Sequence, residues 1–147
     1  METVRFILYF MCIVQKISAK HAAHSLGYHL IWTPKYRHQA LDERIGVDLK
    51  RIISQTCAEY DRLLHEIEVM EDHVHVFVQA SHEVAPVEIA KTLKGISAVY
   101  LFERFPKLKG RKFWGSGMWS RGTYYASVGS ISERAVRNYI RTQKERG

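Results

Sequence analysis

The residues whose type and spacing could do chemistry begin with His73-Val74-His75. Side chains two apart on a strand share a face, so an extended segment here projects both imidazoles together and turns Val74, Val76 and Val78 the other way. Neutral imidazole nitrogen is a common ligand for a divalent metal. Taken alone, the pair is better read as an ordinary surface pair of histidines on a strand edge, which has no need of a metal. A second group lies near the C-terminus, where Tyr139 and Gln143 are four apart and share one helical face with Ala135 and Val136. Arg134, Arg137, Arg141 and Lys144 fall on the far side of that helix. On periodicity alone Tyr139 reads as a core tyrosine. Gln143 is less at ease there, because a buried amide must find partners.

The charge is unevenly placed. The 147-residue chain carries a formal +7, but residues 1–90 hold 9 basic and 12 acidic residues, whereas residues 91–147 hold 13 and 3. A basic surplus of this kind favours a polyanion, because lysines and arginines release counterions from phosphates, and it places that partner against the C-terminal half. The loop Pro106 to Gly117 adds Lys107, Lys109, Arg111 and Lys112 beside Phe113 and Trp114, a mixture able to hold phosphate and stack a base. Two cysteines, Cys12 and Cys57, are too few for a disulfide framework or a cysteine zinc site, and point to a reducing, cytoplasmic compartment.

Several elements must position these groups. Tyr28 to Thr33 is rich in aromatic and β-branched residues and stops at Pro34, as a strand should. Ile45, Leu49, Ile52, Ile53, Thr56, Cys57, Tyr60, Leu63 and Leu64 repeat at helical spacing and predict a helix from Asp42 to Leu64. His65–Val69 and His73–Ala80 alternate as a hairpin would. Pro86 suits the first turn of a second helix running to Phe105. Trp119 to Val128 reads as a last strand, and Ser130-Ile-Ser-Glu133 is a capping box that opens the helix of Tyr139. The order βαββαβ followed by a helix predicts an α+β fold, a ferredoxin-like or RRM-like sandwich whose antiparallel sheet has helices on one face. The other face is left for a ligand.

One segment stands apart from this scheme. Phe6 to Val14 is an unbroken apolar run, too short to span a bilayer as a helix and without the flanks of a signal peptide. Residues 1–15 are expected to be a leader or appendage, and residues 16–147 a single domain without membrane association.

The His73-Val-His75 pair resembles the HUH motif of the one-tyrosine transposases that move small insertion sequences as single-stranded DNA. Tyr28-His-Leu-Ile-Trp-Thr-Pro-Lys-Tyr-Arg37, Val69-Met-Glu-Asp-His-Val-His75, Leu93-Lys-Gly95, Phe113-Trp114, Ser127-Val-Gly129 and Tyr139-Ile-Arg-Thr-Gln143 are similar to that family's segments, in its order. The resemblance covers about residues 16–146; Glu71 stands where the family often has proline. It implies that Tyr139 is the nucleophile and that His73, His75 and Gln143 hold a divalent ion, Mg2+ or Mn2+, with Asp72 placed to orient a ligand histidine. It further implies a homodimer acting on single-stranded DNA hairpins, with the tyrosine helix of one subunit able to complete the site of the other, and Gly129 as a hinge. Lys91, Lys94, Lys112 and Arg121 are the candidate contacts to DNA.

Three other readings remain open at this stage. A non-catalytic nucleic-acid-binding module on the same sheet would expose stacking aromatics. A zinc protein is disfavoured by the lack of nearby cysteines. A relative adapted to chromosomal repeats would share every residue named above.

Overall fold

The computed structural model describes residues 25–110 and 117–130. The expectations for the leader, Lys112, Phe113 and Trp114, and for Tyr139, Gln143 and their helix lie outside the described residues. Strand β1 (Ser25–Trp32) is followed by helix α1 (Glu43–Glu59), the hairpin β2 (Leu63–Met70) and β3 (His73–Ser81), helix α2 (Pro86–Arg104) and strand β4 (Tyr124–Ser130). The sheet order is β2-β3-β1-β4 and every pairing is antiparallel. This is the expected ferredoxin-like arrangement.

Period-two alternation decides which face is covered. Val74, Val76 and Val78 of β3 and Leu30 and Trp32 of β1 are buried, and they meet Ile45, Leu49 and Ile53 of α1 and Ile89, Leu93 and Leu101 of α2 in one core. Each such side chain contributes roughly 1.5–3 kcal/mol by leaving water. The opposite face carries no helix among the described residues and presents His29, Ile31, His73, His75 and Phe77.

Capping and turn chemistry set the ends of the helices. Asp42 accepts a hydrogen bond from the Ile45 amide at 2.9 Å and starts α1. The helix stops at Glu59, five residues before the expected Leu64. The reason is a Schellman closure: Asp61 adopts a left-handed φ of 54°, the Asp61 amide donates to the Ala58 carbonyl at 3.3 Å, and the Arg62 amide donates to the Cys57 carbonyl at 2.7 Å. Leu63 and Leu64 therefore begin β2. Pro86 occupies the first turn of α2, as expected.

The last strand also begins later than its sequence suggests. Trp119 forms only an isolated bridge to Pro34, and β4 starts at Tyr124. Between them the chain loops out, held by the Lys94 ammonium, which donates to the Ser120 carbonyl at 2.7 Å and to Thr123 Oγ1 at 3.1 Å, with the Arg121 and Gly122 carbonyls at 3.5 Å. Trp119 is fixed from α2, its Nε1 donating to Ser97 Oγ at 3.1 Å. Gly129 lies within β4, at the place where the β1–β4 register shifts between Tyr28↔Ser127 and Leu26↔Ser130. Two residues of β4, Val128 and Gly129, thus stand against Gly27 alone, a bulge at the expected hinge.

Candidate active site

The open sheet face brings histidines from three strands into one row. In the β1–β3 register Ile31 pairs with His75 and His29 with Phe77, so His29 stands diagonally beside His75. Its Nδ1 lies 2.9 Å from His75 Nε2, with the rings stacked at a centroid distance of 5.1 Å. Phe77 is stacked on His29 at 4.5 Å and on His65 at 4.8 Å. His65 enters from the β2 bulge between Leu64 and Glu66, and its Nε2 is 3.0 Å from Gln79 Oε1. The row therefore runs His65, Phe77, His29, His75 across the sheet.

The two histidines singled out from the sequence do share this face, and each has one nitrogen within hydrogen-bond distance of a neighbour. His73 Nδ1 donates to Asp72 Oδ1 at 2.9 Å. His75 has His29 at Nε2 and the Glu68 carboxylate 4.0 Å from Nδ1. Such neighbours fix the orientation of an imidazole and choose which nitrogen keeps its lone pair. Asp72 is accordingly held below the usual carboxylate range, first by the hydrogen bond from His73. Burial lowers the pKa of His29, and the neighbouring His75 lowers it further. Burial pushes His65 down to about 4. Both are neutral at neutral pH.

This donor set suits a divalent ion in part. Two imidazoles on one face, with carboxylates at their backs, are the nitrogen half of a site for a borderline metal. Among the described residues no group of three or more His, Cys, Asp or Glu side chains is close enough to hold one. Cysteine chemistry finds no support at Cys57, whose thiol burial pushes up to about 12.

The candidate DNA contacts divide by environment. Lys91 is exposed on α2 and Arg121 is exposed in the loop before β4. Lys94 is different: its three N–H groups are directed at the Ser120–Thr123 loop, and burial lowers its pKa. It holds the segment that presents Arg121. Lys109 lies over the Phe102 ring, 5.5 Å from its centroid.

Sequence reading overlooked His29, Glu68 and His65 as members of this face. A signal for His29 was present, since Tyr28 and Leu30 on either side of it are core residues and alternation sends His29 to the open face.

A ferredoxin-like sandwich with paired histidines on a central strand, whose open face carries no helix among the described residues, defines a class of α+β protein in which the sheet is a platform for a ligand. Comparison with known proteins makes this particular. The profile described as "Transposase IS200 like" matches residues 22–143, and the chain belongs to that family. It is 35% identical over 123 residues to the ISDra2 transposase TnpA of Deinococcus radiodurans, covering 84% of this chain and 87% of that one. It is 29% identical over 128 residues to the transposase for insertion sequence element IS200 of Salmonella typhimurium, covering 87% and 83%. A crystal structure of a Deinococcus radiodurans protein assigned as a transposase superposes with a TM-score of 0.65 at 34% identity, covering 84% of this chain and 91% of that one. The chain is thus an IS200-like transposase that acts on DNA. Among the described residues no helix is long and apolar enough to cross a membrane.

Proposed function

We propose that this transposase cleaves and rejoins single-stranded DNA at hairpin-flanked element ends through a 5′-phosphotyrosine on Tyr139. The observation that carries this reading is the His73/His75 pair on the uncovered sheet face, each ring tied at one nitrogen by a neighbour.

In this reading the Tyr139 oxygen attacks the phosphorus, a Tyr–O–P bond forms, and the P–O3′ bond breaks. The leaving oxygen takes up a proton as a free 3′-OH, and the tyrosine proton passes to solvent. A phenol with an ordinary pKa near 10 needs its target made more electrophilic. His73, His75 and Gln143 would hold Mg2+ or Mn2+, which when bound withdraws charge from a non-bridging phosphate oxygen. Because the ester keeps the energy of the broken bond, the 3′-OH of another strand can reverse the step and join DNA without ATP.

Lys91, Arg121 and Lys112 would grip the backbone, with Lys94 holding the Arg121 loop in place. Gly129, at the β1–β4 register shift, would be the hinge ahead of Tyr139 in a homodimer in which the tyrosine helix of one subunit serves the other.

A labelled single-stranded hairpin oligonucleotide with Mn2+ tests this directly. Wild type should form a covalent adduct that survives denaturation, Tyr139→Phe should form none, and His75→Ala or chelator should suppress it. An adduct retained by Tyr139→Phe sinks the assignment of the nucleophile. Both faces of Phe77 are covered by histidine rings, so the aromatic platform expected of a non-catalytic binding module is not offered there.

A further inference from the structure

We propose that His29 is a positioning residue for His75, fixing its ring orientation and tautomer through the hydrogen bond between His29 Nδ1 and His75 Nε2. The role deepens the metal-assisted reading above and rests on it for its consequence, though not for its geometry.

The two nitrogens are 2.9 Å apart, a full hydrogen bond in which one proton is shared between two bases. Placed on His29 Nδ1, the proton would spend the lone pair of His75 on this bond; placed on His75, it leaves a nitrogen bare for a ligand. In the proposed arrangement His29 accepts, so that Nε2 is the protonated nitrogen of His75. Its other nitrogen faces the Glu68 carboxylate 4.0 Å away, so the ring sits between a basic and an acidic neighbour and its two edges are inequivalent. His29 is itself braced, since its ring lies flat on Phe77 with an interplanar angle of 12°, and Phe77 rests in turn on His65. Register explains how a residue 46 positions away does this: pairing of His29 with Phe77 sets its side chain one step along the sheet from His75. On the other histidine the same task falls to Asp72, which accepts from His73 Nδ1. Each candidate ligand then has a hydrogen-bonded protein partner, a carboxylate for His73 and an imidazole for His75.

Two substitutions separate this role from simple packing. His29→Asn keeps a polar atom the same three bonds from Cα as Nδ1 but loses the ring. His29→Phe keeps a ring to stack on Phe77 but loses both nitrogens. Mn2+ affinity of the DNA-free protein, read by electron paramagnetic resonance, should fall about 10–100-fold in His29→Phe and stay within about threefold of wild type in His29→Asn. In metal-free protein at a pH where both rings are neutral, the ring 15N shifts of His75 should report one dominant tautomer in wild type and His29→Asn, and an exchanging mixture in His29→Phe.

The reverse pattern, with phenylalanine tolerated and asparagine harmful, would assign His29 to packing and overturn the proposal. Unchanged His75 ring shifts in His29→Phe would overturn it as well. Should the wild type bind no Mn2+, the metal-assisted reading fails, and the hold of His29 on His75 is then decided by the 15N shifts alone.

Discussion

The Lys94 ammonium lies 2.7 Å from the Ser120 carbonyl oxygen, with the Arg121 and Gly122 carbonyls and the Thr123 hydroxyl completing its surroundings. A side chain 26 residues away in sequence thereby shapes the loop that precedes β4. The arrangement separates two kinds of lysine on α2. A lysine on phosphate releases a counterion, and its removal lowers the salt dependence of DNA binding by about one unit of slope. Exposed Lys91 should behave in this way. Lys94→Met should leave the slope nearly unchanged while costing about 1 kcal/mol of stability through its lost hydrogen bonds. Fluorescence anisotropy across a salt series, with urea melts on the same variants, distinguishes the two; a full unit of slope lost in Lys94→Met would place its ammonium on DNA.

His65 makes stability depend on pH in a stated direction. Its folded pKa of about 4 lies below the ordinary 6.5, because burial disfavours the charged ring. Between these values the unfolded chain binds the extra proton and the folded one does not, so stability is fully present above about pH 6.5 and declines as pH falls towards 4. The loss attributable to this group levels off there at roughly 3 kcal/mol. Urea midpoints between pH 7.5 and 4.5 should fall less steeply for His65→Asn than for wild type. Parallel slopes would mean that another group carries the acid sensitivity.

How much could be read from the chain alone depends on what each feature requires. The β1 and β3 alternation, the core valines and Pro86 at the start of α2 are local signals, and the βαββαβ order followed from them. The end of α1 was hidden because its left-handed closing residue is Asp61 rather than glycine. The start of β4 was hidden because Lys94 draws the chain out of the sheet from another element. His73 and His75 were legible as a pair on one face, since strand period suffices. His29 and Glu68 were not, because joining them to His75 needs the register of β1 and β2 against β3, which no single segment encodes.

Asp72 should matter for metal binding and its neighbour should not. The Asp72 carboxylate accepts from His73 Nδ1 at 2.9 Å, an interaction that leaves His73 Nε2 the bare nitrogen. Asp72→Ala should weaken Mn2+ binding to the free protein about tenfold, with Asp72→Asn between it and wild type because an amide oxygen can still accept. Glu71, whose contribution is its backbone carbonyl on the Leu41 amide, should tolerate alanine with affinity unchanged. Equal losses at both positions would indicate a diffuse electrostatic effect rather than orientation of His73.

The turn after β1 stores backbone strain that a pair of substitutions can measure. Tyr36 and Arg37 both adopt left-handed φ values, 60° and 50°, in the turn that closes β1. A residue with a Cβ pays roughly 1–2 kcal/mol for that conformation, whereas glycine pays little. The turn is held despite this cost by its anchors: the Lys35 amide donates to the Met118 carbonyl at 2.8 Å and the Ser120 amide to the Thr33 carbonyl at 2.9 Å. Tyr36 is 75% exposed, so its ring returns little of the cost by burial. Tyr36→Ala removes the ring and keeps the strain, and Tyr36→Gly removes both. In urea denaturation the glycine variant should exceed the alanine variant by about 1 kcal/mol, since relief of strain outweighs the added chain entropy of glycine. Equal stabilities, or a less stable glycine variant, would show that the turn holds no strain worth releasing.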